Sequence, residues 1–244
     1  MTGVHSFFDN GGHPVAMSHG GDDHAPGLHT GTLAAYQRAH DFGFRYFQVD
    51  VVLIGGGTLV SLHAITGRKR QFENLNVAQV SAEVGHDVAT VDELIQAFPD
   101  VKWNLEIKSR HALDALVATI ERHELEHRCC VGAPFSTKIL RKVRARFPSI
   151  ATCTSLREGS LFGRPLPFTR APGGDTVQMW WPLVWRRSTV QRPIDRGDRF
   201  QVWTVNKPAR AARLLELGAT GLITDDHEEL RALLIEREAW ADPS

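Results

Sequence analysis

No excess of charge of either sign marks this sequence: over 244 residues, 28 Lys and Arg balance 28 Asp and Glu, for a formal net charge of zero with His neutral. Affinity for nucleic acid rests mainly on surplus Lys and Arg, so a polyanion-coating protein is excluded. Long apolar runs are missing too. None approaches the roughly 18 residues of a membrane span, and stable membrane insertion is not expected. Cysteine is scarce: Cys129, Cys130 and Cys153 form neither a disulfide framework nor a Cys-x-x-Cys zinc pattern, and read as core thiols of a reducing compartment. Residues 1–10 hold neither a basic segment nor an apolar stretch of signal-peptide length, so a cytoplasmic location is expected. No linker, repeat or low-complexity tract divides the chain, which favours one domain over residues 1–244, while the oligomeric state stays unknown.

What is present is an ordinary globular composition, 42% apolar and 23% charged, with 12 His as the one conspicuous count. Histidine is the side chain best suited to proton transfer and metal binding near neutral pH. Short apolar runs alternate with amphipathic stretches from end to end. Strands are predicted at Val15 to Ser18, Tyr46 to Val52, Lys102 to Ile107, Cys129 to Ala133, Ile150 to Thr154, Thr176 to Pro182, Gln201 to Val205 and Gly221 to Thr224. Helical patterns lie between them at Thr32 to Phe42, Val91 to Phe98, Leu113 to His123, Ser136 to Phe147 and Pro208 to Leu217, with a last one after Asp226. Only Gly55-Gly56-Gly57 separates the second strand from a further strand-like run, Thr58 to His63. A parallel crossover needs a dozen or more residues, so this pair must be an antiparallel hairpin. The stretch Ala64 to Thr90 reads as irregular, and Arg157 to Asp175 as a long loop. Eight strand-helix units with a hairpin and loop insertion at about 53–90 describe a (β/α)₈ TIM barrel of the α/β class.

Active sites of such barrels lie at the carboxyl ends of the strands. The polar residues there are His19 after the first strand, Gln48 and Asp50 alternating on the second, His63 closing the hairpin, Glu106 and Lys108 on one face of the third, Trp203 and Asn206 at the seventh, and Asp225 at the eighth. Asp50 and Glu106 point inward, where an unpaired carboxylate is costly, so a metal or a cationic partner is expected beside them.

This ordered set resembles the glycerophosphodiester phosphodiesterase family, whose barrels hydrolyse phosphodiesters with a divalent metal. The similarity runs over nearly the whole chain. It is carried by Glu-Ile-Lys at 106–108, Val-Trp-Thr-Val-Asn at 202–206, Leu-Gly-Ala-Thr-Gly-Leu-Ile-Thr-Asp-Asp at 217–226 and Thr-Leu-Ala-Ala-Tyr at 32–36. The resemblance implies His19 and His63 as the general acid and base. It also implies Gln48, Asp50 and Glu106 as ligands of Mg²⁺ or Ca²⁺, with Lys108 and Trp203 at the substrate, a small-molecule phosphodiester.

Four positions depart from the family's pattern. Gln48 stands where the family has a Glu, which keeps an oxygen donor but removes its charge. Gly20 replaces an Arg able to hold phosphate bidentately. Ala64 replaces an Asp after His63, and the segment before Thr32 replaces a Pro-Glu-Asn-Thr run. These losses leave an alternative, a catalytically impaired barrel that binds a phosphorylated small molecule or a partner. The altered loop, Gly20 to His29, is rich in Asp and His and could supply replacement ligands, though such residues are common in any exposed loop. Trp180, Trp181 and Trp185 with Arg186 and Arg187 form an aromatic-basic cluster, read as packing in preference to a pocket wall.

Overall fold

A computed structural model describes residues 6–63, 72–134, 136–156, 176–195 and 197–241. Eight parallel strands, β1 (Val15–His19), β2 (Tyr46–Leu53), β4 (Lys102–Ile107), β5 (Cys129–Gly132), β6 (Ala151–Leu156), β7 (Thr176–Trp180), β8 (Arg199–Trp203) and β9 (Gly221–Thr224), pair in chain order, and β1 closes the ring on β9 and β2. The short β3 (Leu59–Ser61) lies antiparallel on β2, as the three-glycine turn requires. The helices α1 (Leu33–Asp41), α2 (Val77–Val84), α3 (Val91–Ala97), α4 (Leu113–Arg122), α5 (Thr137–Arg146), α6 (Arg187–Asp195), α7 (Pro208–Glu216) and α8 (His227–Glu236) complete a closed TIM barrel.

The period-2 alternation of the strands sorts their side chains between two cores. Outward residues such as Phe47, Val49, Trp103 and Leu105 are fully buried and pack with Leu94 and Ile95 of α3, Leu116 and Ile120 of α4 and Leu214 of α7. Each such side chain contributes about 1.5–3 kcal/mol of transfer free energy. Inward residues at the amino end, Val15, Met17, Tyr46, Cys130, Ala151, Cys153 and Ile223, enclose Phe7 and Phe8 of an amino-terminal turn, Ser6–Phe8. Lys102 ties that turn down, donating from Nζ to the Ser6 carbonyl at 3.2 Å, the Asp9 carbonyl at 3.0 Å and Tyr46 Oη at 3.0 Å. All three cysteines are buried.

Midway up the barrel the interior turns polar. Gln178 Nε2 donates to Gln201 Oε1 at 2.8 Å, and Cys153 Sγ contacts Asn104 Oδ1 and Gln178 Oε1 at 3.5 and 3.4 Å. These residues are all 1% exposed or less, so each polar atom depends on its neighbours for partners.

The strands begin and end within about two residues of the sequence-based bounds, and three differences are of interest. The sixth predicted run, Thr176 to Pro182, stops at Trp180, because Trp181–Leu183 forms a 3₁₀ turn around Pro182. The stretch read as irregular contains α2, announced by a capping box in which Asn76 and Gln79 hold each other's backbone N–H. Helix α6 was hidden by Pro193 in its last turn. Ala64 and the loop at 157–175 lie outside the described residues.

One buried histidine links the fold to pH. His227, at the start of α8, is fully buried with Nε2 2.7 Å from Ser18 Oγ on β1. Burial pushes its pKa down from 6.5 to about 4, outweighing the Asp22 carboxylate 3.8 Å away. Between these values the unfolded chain takes up a proton that the folded chain refuses, so stability must fall as pH drops from 6.5 toward 4. The loss should reach about 3 kcal/mol. Urea melts at pH 7 and 4.5 are expected to show a clearly smaller pH-dependent loss in His227→Gln; equal losses in both proteins would discount the buried imidazole.

Candidate active site

At the carboxyl end of the barrel a cavity of about 210 Å³ is lined by His19, Gln48, Asp50, His63, Glu106, Lys108, Ser155, Trp203, Thr204 and Asp225. All seven residues to which the family resemblance gives a role therefore face one space. Strand register brings them there: His19 pairs with Gln48, and Asp50 with Glu106, on neighbouring strands. Gln48, Asp50 and Glu106 are 5–7% exposed, so their polar ends are withheld from bulk water except through this opening.

The two histidines meet edge to face with ring centroids 4.9 Å apart. One nitrogen of each and one Asp50 oxygen lie within 4.8 Å of one another. Their environments differ. His19 is half-buried and its Nδ1 is 2.7 Å from Asp225 Oδ1, while Asn206 Nδ2 donates to Asp225 Oδ2 at 2.8 Å and the Asp225 N–H donates to Asn206 Oδ1 at 2.9 Å. Burial alone would lower the His19 pKa, but the Asp225 hydrogen bond and the Asp50 and Asp225 charges outweigh it, and the net shift is upward. For His63, desolvation outweighs the attraction of Asp50, and repulsion from His19 and Lys108 adds to it, so its pKa is lowered. A pair of titratable groups pushed in opposite directions is the arrangement acid–base chemistry needs.

Below the histidines, Lys108 Nζ is 2.8 Å from Asp50 Oδ1 and also pairs with Glu106 Oε1. The other Glu106 oxygen accepts from Ser155 Oγ at 2.9 Å. Despite burial, which acts the other way, the ammonium and His19 hold the Asp50 carboxyl below its ordinary range. Gln48 Oε1 is buried and has no hydrogen-bond partner among the described residues. An orphaned buried acceptor costs about 1–3 kcal/mol, and such an atom commonly marks a place for water or an ion. Gly132 of β5 lies in register beside Glu106, where a Cβ would meet Cys153 Sγ at 3.0 Å and Glu106 Cγ at 3.2 Å.

The altered loop takes no part in the cavity. Asp22 is buried against Arg38 Nε of α1 at 2.6 Å, with His24 Nδ1 at 3.2 Å. Asp23 accepts from Thr30 Oγ1 at 2.6 Å, and His29 stacks on His86 at 4.6 Å. Gly20 has φ +72°, and a Cβ there would stand 2.4 Å from Thr30 Cγ2, so the position is shaped for glycine. The tryptophan cluster also lies apart. Arg210 stacks on Trp181 at 3.3 Å and Arg186 on Trp185 at 4.1 Å, while only Trp203 lines the cavity.

Three lining residues, Ser155, Thr204 and Asp225, were given no role in the sequence reading. Ser155 carried no sequence signal. Asp225 was visible as a strand-end carboxylate, but its pairing with His19 spans 206 positions and no local pattern encodes it.

The model of the glycerophosphoryl diester phosphodiesterase family matches residues 167–229. The chain is 27% identical over 259 aligned positions to a Mycobacterium tuberculosis protein named "Probable glycerophosphodiester phosphodiesterase 2", covering 96% of this chain and 95% of that one. It is 25% identical to a glycerophosphodiester phosphodiesterase of Caldanaerobacter subterraneus, over 88% of this chain and 96% of the relative. Among solved structures, a glycerophosphodiester phosphodiesterase of Parabacteroides distasonis superposes with TM-score 0.75 at 18% identity, over 91% of this chain and 97% of that one. An Oleispira antarctica phosphodiesterase, solved with its product sn-glycerol-3-phosphate, gives 0.74 at 17% identity over the same shares.

Proposed function

Because the chain belongs to the glycerophosphoryl diester phosphodiesterase family, we propose that it hydrolyses small glycerophosphodiester-type substrates with a bound divalent cation, in the cytoplasm. The observation that carries this reading is the pair His19 and His63 facing one cavity above Asp50, Glu106 and Lys108. His19, kept protonated by Asp225, donates a proton to the leaving alkoxide. His63, kept neutral, accepts one from the attacking O–H. Lys108 offers an ammonium to a phosphoryl oxygen, and Trp203 gives the substrate's alcohol an apolar wall.

The residues fit a hard cation. Gln48, Asp50 and Glu106 would hold it through oxygen, and Gln48 Oε1 is a buried acceptor still wanting a partner. When bound, a divalent cation supplies charge neutralisation on the phosphoryl oxygens. With an amide in place of a third carboxylate, Mg²⁺ or Ca²⁺ is held by fewer negative charges and more weakly.

The test is release of glycerol phosphate from a panel of glycerophosphodiesters by the purified protein, with Mg²⁺ or Ca²⁺ added and then removed by chelator. Turnover that disappears with the chelator is the expected result. No release from any diester at any cation concentration would leave the binding-only barrel as the better account.

A further inference from the structure

Lys108 sits where a cation would have to go. Its ammonium pairs with Asp50 Oδ1 at 2.8 Å and with Glu106 Oε1, and its side chain is 7% exposed. The remaining Glu106 oxygen is taken by Ser155. Thus the two carboxylates proposed as ligands are already bridged by a positive charge that belongs to the chain, and Gln48 adds no charge to offset a second one.

We propose that Lys108 is a built-in competitor for the cation site: its ammonium bridges Asp50 and Glu106 until a divalent cation enters and displaces it into the cavity. This rests on the reading of Gln48, Asp50 and Glu106 as the cation site. Two positive groups cannot share the same buried oxygens at contact distance without strong repulsion. The flexible four-carbon stem of lysine lets the ammonium swing without moving the backbone of β4. Cation affinity in the wild type is then reduced by the fraction of molecules in which the bridge is closed. The displaced ammonium faces the space in which a phosphoryl group would lie, so cation entry and exposure of the phosphate-binding charge are one event.

Calorimetric titration with Ca²⁺ alone tests this in the wild type and in Lys108→Met. The variant is expected to bind roughly tenfold or more tightly, because no bridge has to open. Lys108→Met leaves two buried carboxylates facing each other and could fail to fold, so a measurement on the wild type stands beside it. The acetylation rate of Lys108 with acetic anhydride, followed by peptide mass spectrometry, should rise several-fold when Ca²⁺ is added. If Ca²⁺ binds the wild type while the variant binds no tighter and Lys108 becomes no more reactive, the competitor role is overturned and the cation site stands. Ca²⁺ binding to neither protein overturns the cation site and the competitor together.

Discussion

Replacing Asp225 with Asn is expected to lower kcat by about 10²-fold or more and to move the basic limb of the kcat/KM profile to lower pH. The carboxylate does two things for His19: through Oδ1 it fixes which ring nitrogen faces the cavity, and its charge favours the imidazolium. An amide of the same shape keeps the packing and can keep the Asn206 contact, but it removes the charge and can enforce the wrong tautomer. His19→Ala removes the proposed proton donor itself and should cost about 10²–10⁴-fold. The direction of the pH shift separates this account from a structural one. A general acid must be protonated to act, so a lower His19 pKa loses activity at lower pH. A reduced rate with an unmoved profile would show that Asp225 merely supports the fold.

The second large effect is on stability. Gly21→Ala should destabilise the protein by about 3 kcal/mol, from the cost of a left-handed non-glycine backbone together with overpacking. Gly21 has φ +87°, and a Cβ there would lie 2.6 Å from Ala35 C and 2.7 Å from Tyr36 N, both backbone atoms of α1. Neither can yield without shifting the helix. That helix carries Tyr36, whose hydroxyl reaches Ser61 Oγ at 3.0 Å beneath the hairpin, so the disturbance should spread toward β3. Equilibrium unfolding in guanidinium measures it. A loss under 1 kcal/mol would mean that the segment between β1 and α1 gives way more easily than the close approach implies.

The sequence was legible where one periodicity dominates. In β2 and β4, alternation placed Gln48, Asp50, Asn104 and Glu106 on one face and Phe47, Val49, Trp103 and Leu105 on the other, and the barrel follows from repeating that division. It was illegible where a local signal is short or contrary, as with the capping box of Asn76 and the proline inside α6. Within the site, the residues at strand ends could be collected from topology, because a barrel brings all its carboxyl ends to one face. Who pairs with whom could not. The Asp225–His19 bond, the Ser155–Glu106 bond and the Lys108 bridge depend on side-chain directions fixed only when the ring closes. The same holds for Asp22: its place in an Asp- and His-rich loop suggested ligation, whereas its burial against Arg38 makes it a strap between that loop and α1.

Grafting this cavity onto another barrel would require more than its charged groups. Of the strands around Glu106, β5 offers no side chain at all at the level of the carboxylate: Gly132 leaves the room in which the acid lies, bounded on the far side by Cys153. A transplant of Gln48, Asp50, Glu106 and Lys108 into a host with alanine or valine at that level would press a side chain against Glu106 Cγ and Cys153 Sγ, so that the acid or the thiol would have to give way. The bare position on β5 is as much a part of the inheritable site as the residues that carry charge.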